Sequence, residues 1–274
     1  MLSKRLLTAA IGIPVCLALL FRGPPAVFCI IIFVLMQIAV VEGSSLLLRN
    51  SILFERLALG IMTGLIFGAI IFAGDVAKVV VGLGSVIFFS SALWRGQRIG
   101  VEEAVEHLCR RLLLIVYVGL LFSFPAKIRL GPFGLGWVVL LCAGTWSADS
   151  GAYFSGRWLG RKKLLPMVSP GKTVAGVWGG MVVAVLVVVL LGKILGAHRL
   201  LPDVPDIELI LLGGAFGLLG VAGDLFESLL KRSAGKKDSG KLFPGHGGVL
   251  DRLDALLFNS ALLWVVIEYR YLWN

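Results

Sequence analysis

Apolar residues in this chain form long uninterrupted runs that are separated by short polar stretches. Most runs are close to the roughly 20 residues that an α-helix needs to cross a bilayer, whereas barrel strands would be about 10 residues long and would alternate. The pattern therefore predicts an all-α fold, a polytopic integral membrane helix bundle. We predict nine spans, at residues 6–21, 25–47, 57–73, 77–94, 111–125, 132–153, 173–196, 207–230 and 249–269.

The composition supports this assignment. Of 274 residues, 58% are hydrophobic and 15% are charged, against about 25% charged in a typical soluble domain. The 35 glycines suit close helix packing inside a membrane. We divide the chain into an N-terminal transmembrane region, residues 1–131 with about five spans, and a C-terminal catalytic region, residues 132–274 with about four.

The basic residues indicate the orientation of the bundle. The net charge is +10, and most of the 26 lysines and arginines fall in alternate loops if the N-terminus is cytoplasmic. The positive-inside rule then predicts an N-in, C-out topology. Because these residues lie in loops between spans, we expect anionic lipid or substrate as partners and no nucleic acid. Residues 101–111 are predicted to form an amphipathic helix at the interface before the fifth span.

Five acidic residues fall at the cytoplasmic ends of three predicted spans. Charge within a membrane is costly, so such residues indicate a functional site. Positions three or four apart share one helix face, and two such faces on neighbouring helices can converge on Mg²⁺, which prefers oxygen ligands. The predicted metal-binding residues are Asp149, Asp224, Glu227, Asp251 and Asp254.

These acids have a simpler alternative role, which is pairing with basic residues at helix ends. Glu227 is four residues from Lys231, and Asp251 and Asp254 flank Arg252. Glu42 lies within the second predicted span, where a supporting role is open to it.

Two predicted cytoplasmic loops, residues 156–172 and 231–248, are rich in glycine and basic residues. Backbone N–H groups of glycine-rich turns bind anions, and lysine adds positive charge. Ser169 and Thr173 stand just before a predicted helix, so either could simply cap it. His246, in a Pro-Gly-His-Gly-Gly turn, is better suited to a turn or phosphate-donor role than to that of a base.

The polar positions of the C-terminal half resemble the signature of the phosphatidate cytidylyltransferase (CDP-diacylglycerol synthase) family. The matching pattern is Ser-x-x-Lys-Arg from Ser228, Lys-Asp at 237–238, Pro-Gly-His-Gly-Gly at 244–248 and Asp-Arg-x-Asp from Asp251. Asp149, Ser169-Pro, Lys172-Thr173 and Gly223-Asp224 agree as well. Gly171 and Ala175 depart from it, since the family commonly has lysine and glutamate there.

The resemblance implies an enzyme that transfers a cytidylyl group from CTP to phosphatidate and releases pyrophosphate. It also implies Mg²⁺, a second cation such as K⁺, a homodimer, and a bacterial inner (plasma) membrane location. The site would open to the cytoplasm and the inner leaflet. A CTP-dependent polyprenol or phytol kinase and, less favoured, an ion-coupled transporter are the alternatives.

The resemblance also implies roles for individual residues. The predicted catalytic residues are Asp224, Asp251, Asp254, Lys237 and Lys172. The predicted substrate-binding residues are Ser169, Lys172, Thr173, Ser228, Lys231, Arg232, Asp238, His246, Gly247, Gly248 and Arg252. We expect the basic residues to offset the repulsion between two polyanionic substrates, and the lipid phosphate to attack the α-phosphorus directly.

Overall fold

The computed structural model describes residues 21–48, 52–72, 75–242 and 247–273. Most of these residues are helical. The elements in chain order are α1 (Pro25–Leu47), α2 (Leu53–Phe72), α3 (Asp75–Ile99), α4 (Val101–Leu114), a π-helix (Ile115–Leu120), α5 (Ser123–Leu130), α6 (Gly134–Leu159), β1 (Lys163–Leu165), β2 (Ser169–Thr173), α7 (Val174–Ala197), α8 (Asp206–Ser233) and α9 (Leu250–Trp273).

The helices follow the predicted apolar runs. Within the described residues, five helical segments are long and apolar enough to cross a membrane: α1, α2, Val101–Leu130, α7 and α8. Helices α3, α6 and α9 coincide with three further predicted spans and contain 25, 26 and 24 residues. The first predicted span, residues 6–21, lies almost entirely outside the described residues.

The helix predicted at residues 101–111 is present but extends three residues further, to Leu114. Helix α4, the π-helix and α5 follow one another almost without interruption over the 30 residues Val101–Leu130, so α4 leads directly into the fifth predicted span. The sequence suggested a break because charge interrupts the apolar run at Arg111. That side chain is instead buried, donates to Ser91 Oγ at 3.0 Å and lies 4.7 Å from the centre of the Phe88 ring.

The all-α expectation also missed a small sheet. Strands β1 and β2 pair antiparallel, with Lys163 opposite Thr173. The two strands have three and five residues, too few to show the alternation that identifies a strand in sequence. The hairpin carries Lys172 to the start of α7.

Glycines bring α7 and α8 into close contact. A Cβ on Gly217 would lie 2.6 Å from Met181 Cα, and one on Gly213 would lie 2.6 Å from Val185 Cα. Small residues that let backbones approach are the usual means by which membrane helices associate. The position of α8, which carries several predicted site residues, therefore depends on this contact.

Replacing Gly217 with alanine should lower the stability of the bundle. The added methyl overlaps the Met181 backbone and forces the helices apart, at a cost of about 1–3 kcal/mol. Gly214→Ala is the matched control, since its Cβ would meet only Val185 Cγ2, at 3.9 Å. Thermal unfolding in detergent would measure both; an equal effect at the two positions would contradict the close contact.

Helix α9 joins the two halves of the chain. Leu250 and Leu257 belong to an apolar cluster formed largely by the N-terminal helices, whereas Leu256 and Leu263 belong to one formed by α6, α7 and α8. The buried Asn259 amide donates to Thr145 Oγ1 at 2.9 Å and to the Phe216 carbonyl at 3.2 Å. These contacts hold the middle of α9 against α6 and α8.

Candidate active site

The site forms where the C-terminal part of α8 passes the first turns of α9. The two helices approach closely at Gly223, where a Cβ would lie 2.5 Å from the Asp254 carbonyl oxygen. Their facing sides carry predicted site residues. These are Asp224, Glu227, Ser228 and Lys231 on α8, with Asp251 and Asp254 on α9.

Lys231 connects the two helices through two carboxylates. Its ammonium donates to Asp251 Oδ1 at 2.7 Å and forms an ion pair with Glu227 one turn earlier on α8. The Glu227 side chain is fully buried, and a buried charge is stable only when it is paired. The proposed pairing of Glu227 with Lys231 is therefore confirmed. Asp251, for which pairing with Arg252 was the alternative, is also paired with Lys231.

The second oxygen of Asp251 organises the loop before α9. Asp251 Oδ2 accepts hydrogen bonds from Ser239 N, Ser239 Oγ and Gly248 N, each at 2.8 Å. Gly247 has φ +83° and lies against this same oxygen, so a side chain at 247 would be strained and would overlap it. Asp251 thus shapes the loop as well as binding the lysine.

A second ion pair joins the hairpin to α8. Lys172 Nζ lies 2.5 Å from Asp224 Oδ2, and Ser228 Oγ lies 3.3 Å from Asp224 Oδ1. The Lys172 and Asp224 side chains are 20% and 36% exposed, so both are accessible to a ligand. The basic loop predicted from sequence is therefore brought directly onto the acidic face of α8.

Carboxylates from three helices form an electrostatic group. Asp149 on α6 interacts with Asp224 and Lys172, and Asp254 on α9 interacts with both Asp224 and Asp149. Carboxylates that repel one another in this way are stabilised when a cation lies between them. Among the described residues, however, no three His, Cys, Asp or Glu side chains already stand at metal-binding separations.

The other predicted substrate-binding residues lie around this centre in varied settings. Thr173 caps α7 by accepting from Gly176 N at 3.1 Å, which confirms the capping alternative. Ser169 lies on β2, and Arg232 donates to the Val168 carbonyl at 3.4 Å. Lys237, Asp238 and Arg252 are exposed. His246 lies outside the described residues.

Tyr117 was not identified from the sequence. It lies in the π-helix with its ring 5.0 Å from that of Phe226, and its buried hydroxyl has no hydrogen-bond partner in the described part of the chain. The site acids, Asp254 and Glu227 among them, lie close enough for their charges to act at this hydroxyl. A tyrosine within an apolar run gives no sequence signal for such a position, although π-helical turns are frequent at functional sites.

These features define a membrane protein built from packed helices, with lysine–carboxylate pairs gathered where two helices meet beside a basic hairpin. The chain belongs to the Cytidylyltransferase family, whose family model matches residues 3–270. The resemblance found in the sequence motifs is thereby confirmed.

Several relatives of this chain are named phosphatidate cytidylyltransferase. The chain is 33% identical to the phosphatidate cytidylyltransferase of Staphylococcus epidermidis over 274 residues, which covers 97% of this chain and 99% of that protein. It is 43% identical to the Bacillus subtilis phosphatidate cytidylyltransferase over 156 residues, 57% of this chain and 56% of the relative. The Haemophilus influenzae phosphatidate cytidylyltransferase is 50% identical over 111 residues, 40% of this chain and 38% of the relative.

Proposed function

We propose that this chain transfers the cytidylyl group of CTP to phosphatidate, forming CDP-diacylglycerol and pyrophosphate in phospholipid biosynthesis. The observation that carries this proposal is the arrangement of two lysines, Lys172 and Lys231, each paired with a carboxylate of α8, in a membrane protein of this family. The relatives named phosphatidate cytidylyltransferase support the choice of substrates.

The lysines suit the main difficulty of this reaction, which is to bring two polyanions together. Lys172 and Lys231 are 20% and 13% exposed, so their charges are partly desolvated and act strongly at short range. Phosphatidate already carries an anionic oxygen that can attack the α-phosphorus, so no general base is needed. The chain's task is positioning and charge compensation.

Mg²⁺ fits the residues present in donor type. Asp149, Asp224 and Asp254 present carboxylates from three helices, and hard divalent cations prefer oxygen ligands. We propose that these three residues hold the ion, which would supply neutralisation of the triphosphate charge. Asp251 and Glu227, both in contact with Lys231, stay predicted ligands, and K⁺ stays a predicted second cation.

The finer membrane arrangement belongs to the same proposal. We propose nine spans with an N-in, C-out topology in the bacterial inner membrane, and a homodimer. The five long apolar helices support a membrane-spanning bundle and the loop charges support its orientation, whereas the homodimer is only implied by the family resemblance. The ends of α8 and α9 that carry the site would then face the cytoplasm, where CTP is available, next to the inner leaflet, where phosphatidate is available.

Product identity tests the proposed reaction. We expect purified protein with labelled CTP, phosphatidate and Mg²⁺ to yield a CDP-lipid and pyrophosphate in equal amounts. Addition of a chelator should stop turnover, and excess Mg²⁺ should restore it. Formation of CDP and a phosphorylated polyprenol from an added lipid alcohol would instead indicate a lipid kinase, and failure to form either product would overturn the proposal.

A further inference from the structure

We propose that Glu42, on α1 in the N-terminal half, is a positioning residue for the site, because its carboxylate holds in place the segment that supplies the partners of Asp251. The catalytic part of this inference rests on the proposed function. Glu42 is only 8% exposed and lies far from the signature residues in sequence.

Glu42 caps helix α9 from a distance. Its Oε1 accepts from Val249 N at 3.0 Å and its Oε2 from Leu250 N at 3.1 Å, across 207 and 208 positions of sequence. Helix N-termini usually receive such bonds from a neighbouring Ser, Thr, Asp or Asn. The residues just before α9 are Gly247, Gly248 and Val249, which offer no side-chain oxygen, so the remote glutamate supplies the acceptors.

Ser239 links Glu42 to the active-site aspartate. The Ser239 hydroxyl lies 2.8 Å from Asp251 Oδ2 and 3.2 Å from Glu42 Oε2. Its single proton can be donated to only one carboxylate at a time, so Ser239 bonds to either Asp251 or Glu42 and lies between the two. Gly240 and Gly248 lie directly against the Glu42 carboxylate, where any side chain would overlap it.

The same end of α1 makes another contact with the loop. Lys236 Nζ donates to the Ser45 carbonyl at 2.9 Å, one helical turn from Glu42. The loop is therefore held on two sides, by Asp251 on α9 and by α1. Because Asp251 also holds Lys231, a shift of the loop changes the position of a lysine proposed to contact phosphate.

In the described part of the chain, backbone donors and a hydroxyl surround the Glu42 carboxylate. Within the described residues, no lysine or arginine lies at ion-pair distance from it, and its contacts are backbone N–H groups and one hydroxyl. The partial positive charge at the N-terminus of α9 stabilises the carboxylate. An amide in its place would turn an NH₂ group toward backbone donors and leave at least one of them unpaired.

The test compares Glu42→Gln with Glu55→Gln, a matched change of a buried glutamate on α2. Glu55 is 5% exposed and pairs with Arg95 at 3.2 Å and with His107 at 3.4 Å, and among the described residues neither of these partners belongs to the site. We expect Glu42→Gln to lower kcat about 10–100-fold, the usual effect of losing a residue that orients site ligands. Glu55→Gln should reduce thermal stability at least as much, yet keep kcat within about twofold.

A structural readout separates the positioning role from general destabilisation. In Glu42→Gln, amide hydrogen exchange should accelerate in peptides containing Val249 and Leu250 while α6 and α7 stay protected. If Glu42→Gln fails to accumulate, Ser239→Ala can be used instead, because it removes only the bridging hydroxyl. It should also lower kcat, by a smaller factor.

Unchanged kcat and unchanged exchange at 249–250 in Glu42→Gln would overturn the inference. Parallel losses of activity and stability in both glutamine variants would overturn it too, because they would show a structural role only. Failure of the wild-type protein to make CDP-diacylglycerol would instead remove the proposed reaction, while the exchange experiment would still report on the loop.

Discussion

Replacing Asp251 with asparagine should abolish turnover while the protein still inserts and folds. Asp251 accepts from Lys231 on one oxygen and from three donors, two on Ser239 and one on Gly248, on the other. Asparagine keeps the shape, but it must turn its NH₂ toward one of these groups and it loses the charge that holds Lys231. Loss of such an electrostatic contact at a reacting centre typically costs about 10²–10³-fold in kcat.

Steady-state assays in detergent with CTP and phosphatidate would measure this loss. Asp206→Asn is a suitable control, because Asp206 forms an ion pair with Lys193 in which both side chains are more than half exposed. That substitution should leave turnover near the wild-type value. Retention of substantial activity by Asp251→Asn would remove Asp251 from the site.

The second large effect is expected at the Lys172–Asp224 pair. If both side chains contact the substrate complex, Lys172→Met and Asp224→Asn should each lower kcat/KM by about 10²-fold or more. The double variant should then be no more active than the less active of the two single variants. If the pair served only to attach the hairpin to α8, removing both partners together would restore much of the activity lost by one.

The magnitude of the ion pair helps to separate these outcomes. With side chains 20% and 36% exposed, the pair contributes at most about 1 kcal/mol of stability after solvent screening. Thermal unfolding should therefore change little in all three variants. The matched control is the same set of single and double variants at Lys193 and Asp206, which lie at the ends of α7 and α8 away from the site. These variants should all keep a near-normal kcat/KM. Recovery of activity in the Lys172→Met/Asp224→Asn double variant would contradict a substrate-binding role.

The positions of many helices could be predicted from the long apolar runs in the sequence. The runs that predicted α1, α2, α7 and α8 depend only on local composition and length, and each is a long apolar helix. The boundary errors came from residues whose surroundings are non-local. Arg111 interrupts an apolar run but is accommodated by Ser91 and Phe88 of another helix, so the helical segment continues past it.

The sequence could predict those contacts of the candidate site that join residues close together in the chain. The spacing of Glu227 and Lys231 puts them one turn apart, and an ion pair results. The family motif predicted Asp251, Lys172 and Asp224 as site residues, but their partners could not be derived. Lys172 meets Asp224 only because a short hairpin turns back onto α8, and no pattern in the strands indicates that turn.

The amino-acid sequence by itself determined the membrane class, the positions of most helices and the family, because hydropathy and motif spacing are properties of neighbouring residues. Tertiary structure alone decided that Glu42 caps α9, that Ser239 lies between two carboxylates and that the Tyr117 hydroxyl is buried near the acids. These contacts join residues up to about 200 positions apart. They exist only after helices with small residues at their contacts have packed and brought the two halves of the chain together.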